Sequence, residues 1–439
     1  SGRQPADSWT AGLTNGDARG GRTAPRVIRA SEQRALSFRP FQITPRPNQL
    51  ESTALENLTH SLVGAALAEL ALPSGPTRAQ RRIFFIAGIV AANLPDADLL
   101  YTRITPPPLG YLLHHRGHTH TLVGLVAQAL LIGAVSLLPA LQRRVGLLRA
   151  RLLALVAVAL LSHLVLDSWN SYGVHPFWPV DARWYYGDAI YILEPWLWVL
   201  LGVSATLNTQ DARGRITLGA AVAVLATALA WFGMITLTAL AVLAVAAVLL
   251  AAISRRWHSR RRAGMALALT ALFVVTMFGG RERARAMVLG AMSLASRANV
   301  VDIILSPAPA NPLCWSALTV VREDATAEFV MTRGTVATVI SAGCGSGHRT
   351  TVVWEDPVRQ SRPRLRALAR TDCTVRAWLQ FGRAPQVAGD AIGDVRYGGA
   401  TRDNFSRMLL PSDARPAACP PHLTHWGLPR EDLLAPGAD

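Results

Sequence analysis

The sequence predicts a mainly α-helical membrane protein, a polytopic bundle of about eight apolar helices followed by a small β-rich C-terminal soluble domain. Three observations carry that expectation. The 439 residues are 51% hydrophobic with a mean hydropathy of +0.25, too apolar for an ordinary soluble chain of two or three domains. Apolar runs of helical length recur between residues 58 and 283, separated by loops dense in arginine. Beyond about residue 300 those runs stop, and short β-branched runs punctuated by Gly, Pro and Asp replace them.

Residues 1–57 are rich in Arg, Gly, Pro, Ser and Thr without hydrophobic periodicity, and are expected to form a disordered tail. An apolar helix over 58–72 follows, its start marked by Asn57-Leu-Thr-His60. A second, over 83–95, ends in Asn93-Leu-Pro95-Asp96-Ala-Asp98. Pro95 disfavours helix for the residue before it, which sets two acids at a helix mouth. A Pro-rich loop then leads to His114-His115-Arg116-Gly117-His118-Thr119-His120, directly before the apolar run 121–140. That run is long enough to cross a hydrocarbon core of ~30 Å at about 1.5 Å per residue. The next helix, 152–167, closes on His163 and Asp167.

Residues 168–198 carry Trp169, Tyr172, Trp178, Trp184, Tyr186, Trp196 and Trp198, the composition expected at a membrane–water interface. Runs over 190–207, 216–233, 236–253 and 264–280 complete a helical membrane domain spanning 58–283. The soluble domain, 300–439, contains runs such as 318–321, 335–340 and 351–354. Its Gly343-Cys-Gly-Ser-Gly347 reads as a turn rather than a phosphate loop, because no helix pattern follows it.

The formal net charge is +16, and all 44 basic residues are arginine. They are spread over loops and tails rather than gathered on one face with interleaved aromatics, which argues against nucleic-acid binding. Short arginine-dense loops stay cytoplasmic. Placing 78–82, 143–151, 213–215 and 255–262 inside puts His60, Asp96, the 114–120 cluster, His163, Asp167, Asp188 and Glu194 together on the opposite face. Arg281, Arg283 and Arg285 fall on that face too, against the rule. The four cysteines, Cys314, Cys344, Cys373 and Cys419, all lie in the last third and suit a domain in an oxidising compartment. Three pairings are open, with free buried thiols as the alternative.

His163 and Asp167 share one helix face a turn apart, where a ring nitrogen and a carboxylate oxygen can reach one ion. A structural His–Asp hydrogen bond is the plainer alternative. Seven of the eleven histidines lie between His60 and His175, in a stretch that is otherwise mostly Ala, Leu and Val. Ionisable groups at membrane depth are costly unless they pair, bind an ion or face water. The candidate metal ligands are His60, Asp96, His115, His120, His163 and Asp167, with Asp188 and Glu194 more distant. Asp96, Asp98 and Arg116 are the candidate catalytic groups, Arg116 by a bidentate contact to an anionic substrate group. Such a site would hold one to three divalent ions, Zn2+ first among them. For His60 a helix cap, and for Asp98 and Asp188 solvated loop acids, are the structural alternatives. His114 and His118 are expected to be spare, and Asn170, Ser171 and Gly173 to end a helix.

At these residues the chain resembles the inner-membrane metal-dependent hydrolases of the YdjM type. The resemblance rests on Thr59-His60-Ser61, Asn93-Leu-Pro-Asp96-Ala-Asp98, His115-Arg-Gly-His-Thr-His120, His163-Leu-Val-Leu-Asp167 with Gly173 and Pro176 following, and Gly187-Asp188 before Glu194-Pro195. It covers residues 57–200, with a looser match at Pro309-Ala-Asn-Pro-Leu-Cys-Trp315. Near Glu194 the family pattern usually has Asp, so this chain offers a carboxylate with one more methylene of reach. The order of His, Asp, His and H-x-x-x-D is also similar to the zinc phospholipase C and nuclease group. The resemblance implies a membrane-embedded, zinc-dependent hydrolase in the bacterial inner membrane, surrounded by membrane lipids. Phosphoester or phospholipid-type molecules at the extracytoplasmic face are the expected small-molecule or lipid substrates. A metal or solute transporter, with ionisable residues at the bilayer midplane, and a non-catalytic membrane scaffold are the competing expectations.

Overall fold

The computed structural model describes residues 49–339, 344, 352–410 and 419–433. The tail expected over residues 1–57 lies outside the described residues as far as residue 48. The first helix, α1 (Gln49–Ala71), has already begun before Leu58. It is followed by α2 (Arg78–Asn93), whose start is fixed by a capping box: Gln80 N donates to Thr77 Oγ1 at 3.2 Å, and Thr77 N to Gln80 Oε1 at 3.1 Å. A Cβ on Gly64 of α1 or Gly88 of α2 would collide with the other's carbonyl, so this glycine pair lets the two backbones touch.

The bundle continues with α3 (Leu109–His114), α4 (Leu122–Val135), α5 (Pro139–Val145), α6 (Arg149–Asp167), α7 (Pro195–Asn208), α8 (Ala212–Trp231), α9 (Leu237–Ser254) and α10 (Ser259–Ala291). Among the described residues five helical stretches are long and apolar enough to cross a membrane: Arg78–Ile104, Pro139–Asp167, Ala212–Trp231, Leu237–Ser254 and Ser259–Ala291. A sixth arises if Leu109–His120 and Leu122–Val135, bent by 65°, count as one. The outward faces of α8 and α9, with Val224, Val242, Val245 and Val248, are exposed and apolar, as lipid contact requires. By contrast α7, with 14 residues, reaches only about 21 Å and is packed inside the bundle.

Arginine loops gather at one end of this bundle. Arg81 pairs with Glu69 at 2.6 Å, Gln80 reaches the Arg144 carbonyl, Arg260 donates to the Leu70 carbonyl at 2.9 Å, and Arg262 to Asn208 Oδ1 at 2.7 Å. Because α2 and α6 start at that end, their last turns carry Asn93 and Asp167 to the other.

The arginines that ran against the charge rule lie in the last turns of α10. Its 33 residues run about 50 Å, longer than a ~30 Å hydrocarbon core, and its last turns pack against the Gly187 loop and the β-region. There Arg281 donates to the Gly187 carbonyl at 2.7 Å and Arg283 to the Thr338 carbonyl at 3.1 Å.

A short helix, α11 (Leu294–Ala298), leads into β1 (Val300–Ala308), β2 (Asn311–Glu323) and β3 (Glu328–Ala337), an antiparallel meander in register at Ile304↔Leu318 and Leu318↔Arg333. Strands β4 (Val352–Trp354) and β5 (Val358–Ser361) both pair with β3. Helices α12 (Arg362–Thr371) and α13 (Cys373–Trp378) precede a second sheet of β6 (Pro385–Ala388), β7 (Ala391–Asp394) and β8 (Met408–Leu409). Cys314 pairs with Cys344, and Cys373 with Cys419. Of the Gly343–Gly347 stretch, only Cys344 lies within the described residues.

This β-region is not a separate body, as the sequence suggested. Leu109, Leu112 and Leu113 of α3, with Tyr172 and Trp184, share one core with Leu318, Phe329, Trp378, Phe381 and Trp426. At the β1–β2 turn, Ala310 packs into a second core with Leu62, Trp198 and Leu243 of the bundle. The apolar surface left by α3 and the 172–184 loop needs covering, and the sheets cover it.

Candidate metal centre

Three elements converge at the non-arginine end. After α2 the chain tightens into a 3-10 turn, Leu94–Leu100, with Pro95 in its first turn, and this turn presents Asp96 and Asp98. After α3 it reverses through Arg116, whose φ of +59° is left-handed, into a second 3-10 turn, His118–His120; Thr121 then caps α4 by accepting from Gly124 N. The last turn of α6 supplies His163 and Asp167.

Four side chains meet there. His120 Nε2 lies 3.0 Å from His163 Nε2, 3.4 Å from Asp96 Oδ1 and 3.2 Å from Asp167 Oδ2. His163 Nε2 lies 3.5 Å from Asp96 Oδ1 and 3.4 Å from Asp167 Oδ2. Four N and O donors around an ion with bonds of roughly 2.0–2.2 Å form a tetrahedron with edges of about 3.3–3.6 Å. The observed separations come close to that figure. Asp96, His120, His163 and Asp167 form one group able to hold an ion, and Asp96, Asp98 and His115 a second that shares Asp96.

The outer nitrogens say which atoms face inward. His163 Nδ1 donates to the Ala92 carbonyl at 2.6 Å, and His120 Nδ1 lies 3.1 Å from Asp98 Oδ2. A carbonyl and a carboxylate can only accept here, so each Nδ1 carries a proton, and with the rings neutral both Nε2 lone pairs are left facing the cluster. Two lone pairs 3.0 Å apart repel unless a proton or a metal cation lies between them. Charge bears on the same point: Asp96, Asp98 and Asp167 are buried, and among the described residues Arg116 is the one guanidinium paired with them, leaving two negative charges when the imidazoles are neutral. A proton on one Nε2 would bridge the two rings but leave one negative charge, and protonating both would cancel the charge but set two cations face to face at 3.0 Å. One divalent ion cancels both negative charges without that penalty, so the residues fit a metal.

Residues 55–239 match the YdjM inner membrane protein family. The YdjM match holds every residue of both groups and ends within α9, before the β-region. No curated protein and no solved structure matches the chain.

Within the YdjM-matched region, Asp98 is a hub rather than a solvated loop acid. Its Oδ2 accepts from Arg116 N at 2.8 Å and Thr119 Oγ1 at 3.0 Å and lies 3.1 Å from His120 Nδ1, while Oδ1 lies 3.2 Å from His115 Nδ1. With its oxygens so occupied, Asp98 orients His115 and His120, which leaves the Asp96 group as the stronger candidate site. His60 flanks that group: its ring stacks on His163 at 3.9 Å, and its Nε2 lies 3.4 Å from Asp167 Oδ1.

Three expectations are corrected. Arg116 does not present itself to a substrate anion, because it is 1% exposed and already engaged. Its Nε lies 3.2 Å from Asp167 Oδ2, and its Nη1 donates to the Asp167 carbonyl and to Asn170 Oδ1. Asn170 is therefore part of the site's support as well as a helix stop. Asp188 stands outside both groups, its carboxylate taken by Arg383 through two 2.8 Å hydrogen bonds. Glu194 also stands outside: Oε1 caps α7 by accepting from Trp196 N at 3.1 Å, and it accepts from Ala310 N at 3.2 Å. Trp196 Nε1 donates to the Ala310 carbonyl, so Glu194 and Trp196 together clasp the β1–β2 turn. Burial pushes the Glu194 carboxyl up to about 8.

The remaining histidines have other partners. His114 Nε2 lies 2.8 Å from Thr105 Oγ1, and His118 is exposed against Trp178 and Trp426. The ring of His175 is enclosed by Trp184 and Trp426, and burial lowers it to about 3, which keeps it neutral.

Proposed function

We propose that this protein is a membrane-embedded, metal-dependent hydrolase of phosphoester or phospholipid-type substrates, with Zn2+ as the ion. The single observation that carries the reading is the set of five 3.0–3.5 Å separations among Asp96, His120, His163 and Asp167, with both imidazole Nδ1 atoms tied outward. A bound divalent ion supplies Lewis acidity and lowers the pKa of a coordinated water. The chain's own residues do the positioning. Asp98 aims His120, Ala92 aims His163, and Arg116 balances and orients Asp167. A cavity of about 30 Å³, the size of a water, adjoins this set, and Thr59, His60, Arg116, Asp167, Asn170, Ile190 and Leu197 are among its lining. His60 Nδ1 is buried and has no hydrogen-bond partner among the described residues, so it is free to bond a polar group entering there.

The same reading places the site and the β-region on the extracytoplasmic side of a multi-pass inner-membrane protein. Its support is the gathering of arginine loops at the opposite end, and two disulfides that require an oxidising compartment. Location at helix ends rather than at the midplane favours a hydrolase over a transporter. The test is release of the alcohol or phosphate product from a phosphodiester and from phospholipid vesicles by the detergent-purified chain, with and without chelator. Hydrolysis that stops with chelator, returns with Zn2+ and is absent from His163→Ala but present in His118→Ala is the expected result. Hydrolysis indifferent to chelator and to His163→Ala would refute the proposal.

A further inference from the structure

The backbone that leaves Asp167 is held from the other half of the chain. Residues 168–171 turn out of α6, and residues 186–190 return against them: Ala189 N and Ile190 N donate to the Trp169 carbonyl at 2.9 and 3.0 Å. Gly187 sits so close that a Cβ there would lie 2.5 Å from the Ser168 carbonyl oxygen and 2.6 Å from Trp169 Cα. Two arginines of the β-region fasten this pair of segments. Arg383 binds both carboxylate oxygens of Asp188, and Arg396 Nη1 donates to the Ser171 carbonyl at 2.7 Å.

Both arginines are anchored behind. Arg383 Nε donates to Asp302 Oδ2 of β1 at 2.7 Å, and its backbone N donates to Asp394 Oδ2 at 2.7 Å. Arg396 pairs with the same Asp394 at 2.9 Å. Their side chains are 7% and 2% exposed, and buried ion pairs cost desolvation, so net stability is a weak reason to keep them there. A planar guanidinium on two oxygens does fix orientation.

What the fastened turn carries is the metal centre's support. Asn170 Oδ1 and the Asp167 carbonyl hold Arg116 Nη1, and Arg116 N in turn holds Asp98, which orients His115 and His120. Two non-glycine residues on this path, Asp188 at φ +50° and Arg116 at +59°, adopt left-handed backbone that persists only where its surroundings impose it.

We propose that Arg383 and Arg396 are positioning residues of the metal centre, through which the β-region holds the Asp167–Ser171 turn, and with it Arg116 and His120, in ion-binding geometry. This rests on the metal-centre reading above. The experiment is Co2+ titration of the detergent-purified full chain, recording affinity and the visible ligand-field band. Arg383→Gln and Arg396→Gln should each weaken Co2+ binding about tenfold or more and alter the band, as loss of outer support to ligands does. Asp188→Asn, which leaves Arg383 on Asp302, should move both readouts the same way and guards against a variant that fails to fold. Arg362→Gln is the structural control. That arginine pairs with Asp324 at 2.9 Å in the same β-region, away from the turn, so its loss should lower the thermal midpoint and leave affinity and band unchanged. Wild-type affinity and band in Asp188→Asn and Arg396→Gln would overturn the proposal, as would an equal loss in Arg362→Gln. A wild-type chain that takes up no Co2+ would instead overturn the metal-centre reading, and the proposal with it.

Discussion

At the arginine end of the bundle Arg143, Arg255 and Arg260 are exposed, and Arg260 and Arg262 spend their hydrogen bonds on helix-end carbonyls and an amide. At the other end Asp96, His120, His163 and Asp167 are buried and meet one another within 3.0–3.5 Å. Both ends belong to the same helices, so propensity and hydropathy do not separate them. Solvent does. A charge that water reaches needs no particular partner, and such a rim tolerates sequence drift. A charge that water cannot reach must be neutralised locally, which ties each acid to a defined donor.

The comparison breaks most completely if the two ends do not lie on opposite sides of the membrane. The four native cysteines are all paired, so a new cysteine is the free thiol. Leu147 in the arginine end and Val180 beyond α6 are fully exposed, at 102% and 95%. In intact cells an impermeant maleimide should label Val180→Cys and spare Leu147→Cys until the membrane is opened. Equal labelling of both would sink the sidedness argument.

Next in size are the disulfides. Removing the Cys373–Cys419 link with serines should lower unfolding stability by about 2–4 kcal/mol, measured by denaturant melts in detergent. Non-reducing peptide mapping should recover Cys314–Cys344 and Cys373–Cys419. Free thiols at all four positions would move the β-region to a reducing compartment.

The smallest effect sharpens the role of Glu194 as a clasp rather than a ligand. Its folded-state carboxyl titrates near 8, above its ordinary value near 4.5, because burial penalises the anion. Between those values the folded chain holds a proton that the unfolded chain lacks, so this group makes stability fall as pH rises, levelling off above about 8. Glu194→Gln keeps an acceptor for Trp196 N and Ala310 N and should flatten that slope. A thermal midpoint whose pH dependence is the same in both proteins would contradict this.

Much of the centre was legible because local spacing carried it. His163 and Asp167 share a helix face by their four-residue separation, and Pro95 announced the turn that presents Asp96. The convergence of His120 with them is tertiary and has no local signature. Asp98 looks like any loop acid until Arg116, Thr119 and His115 are seen around it. Asp188 and Glu194 were misread because a carboxylate beside an apolar run looks alike whatever its partner. For Asp188 that partner lies at Arg383, across the other half of the chain, whereas Glu194 before Pro195 was a readable helix cap with Pro in the first turn. The β-region's strands were legible, but its fusion with the bundle depended on which apolar faces needed covering.

The central claim is that the buried acids and imidazoles are balanced by a divalent ion. Metal analysis of the full chain purified without chelator, beside Asp167→Ala and His118→Ala, tests it most directly. At least one equivalent of divalent metal in the wild type and in His118→Ala, and none in Asp167→Ala, is the predicted result. A folded wild-type chain with no metal that takes none up on incubation with Zn2+, or full occupancy in Asp167→Ala, would contradict it.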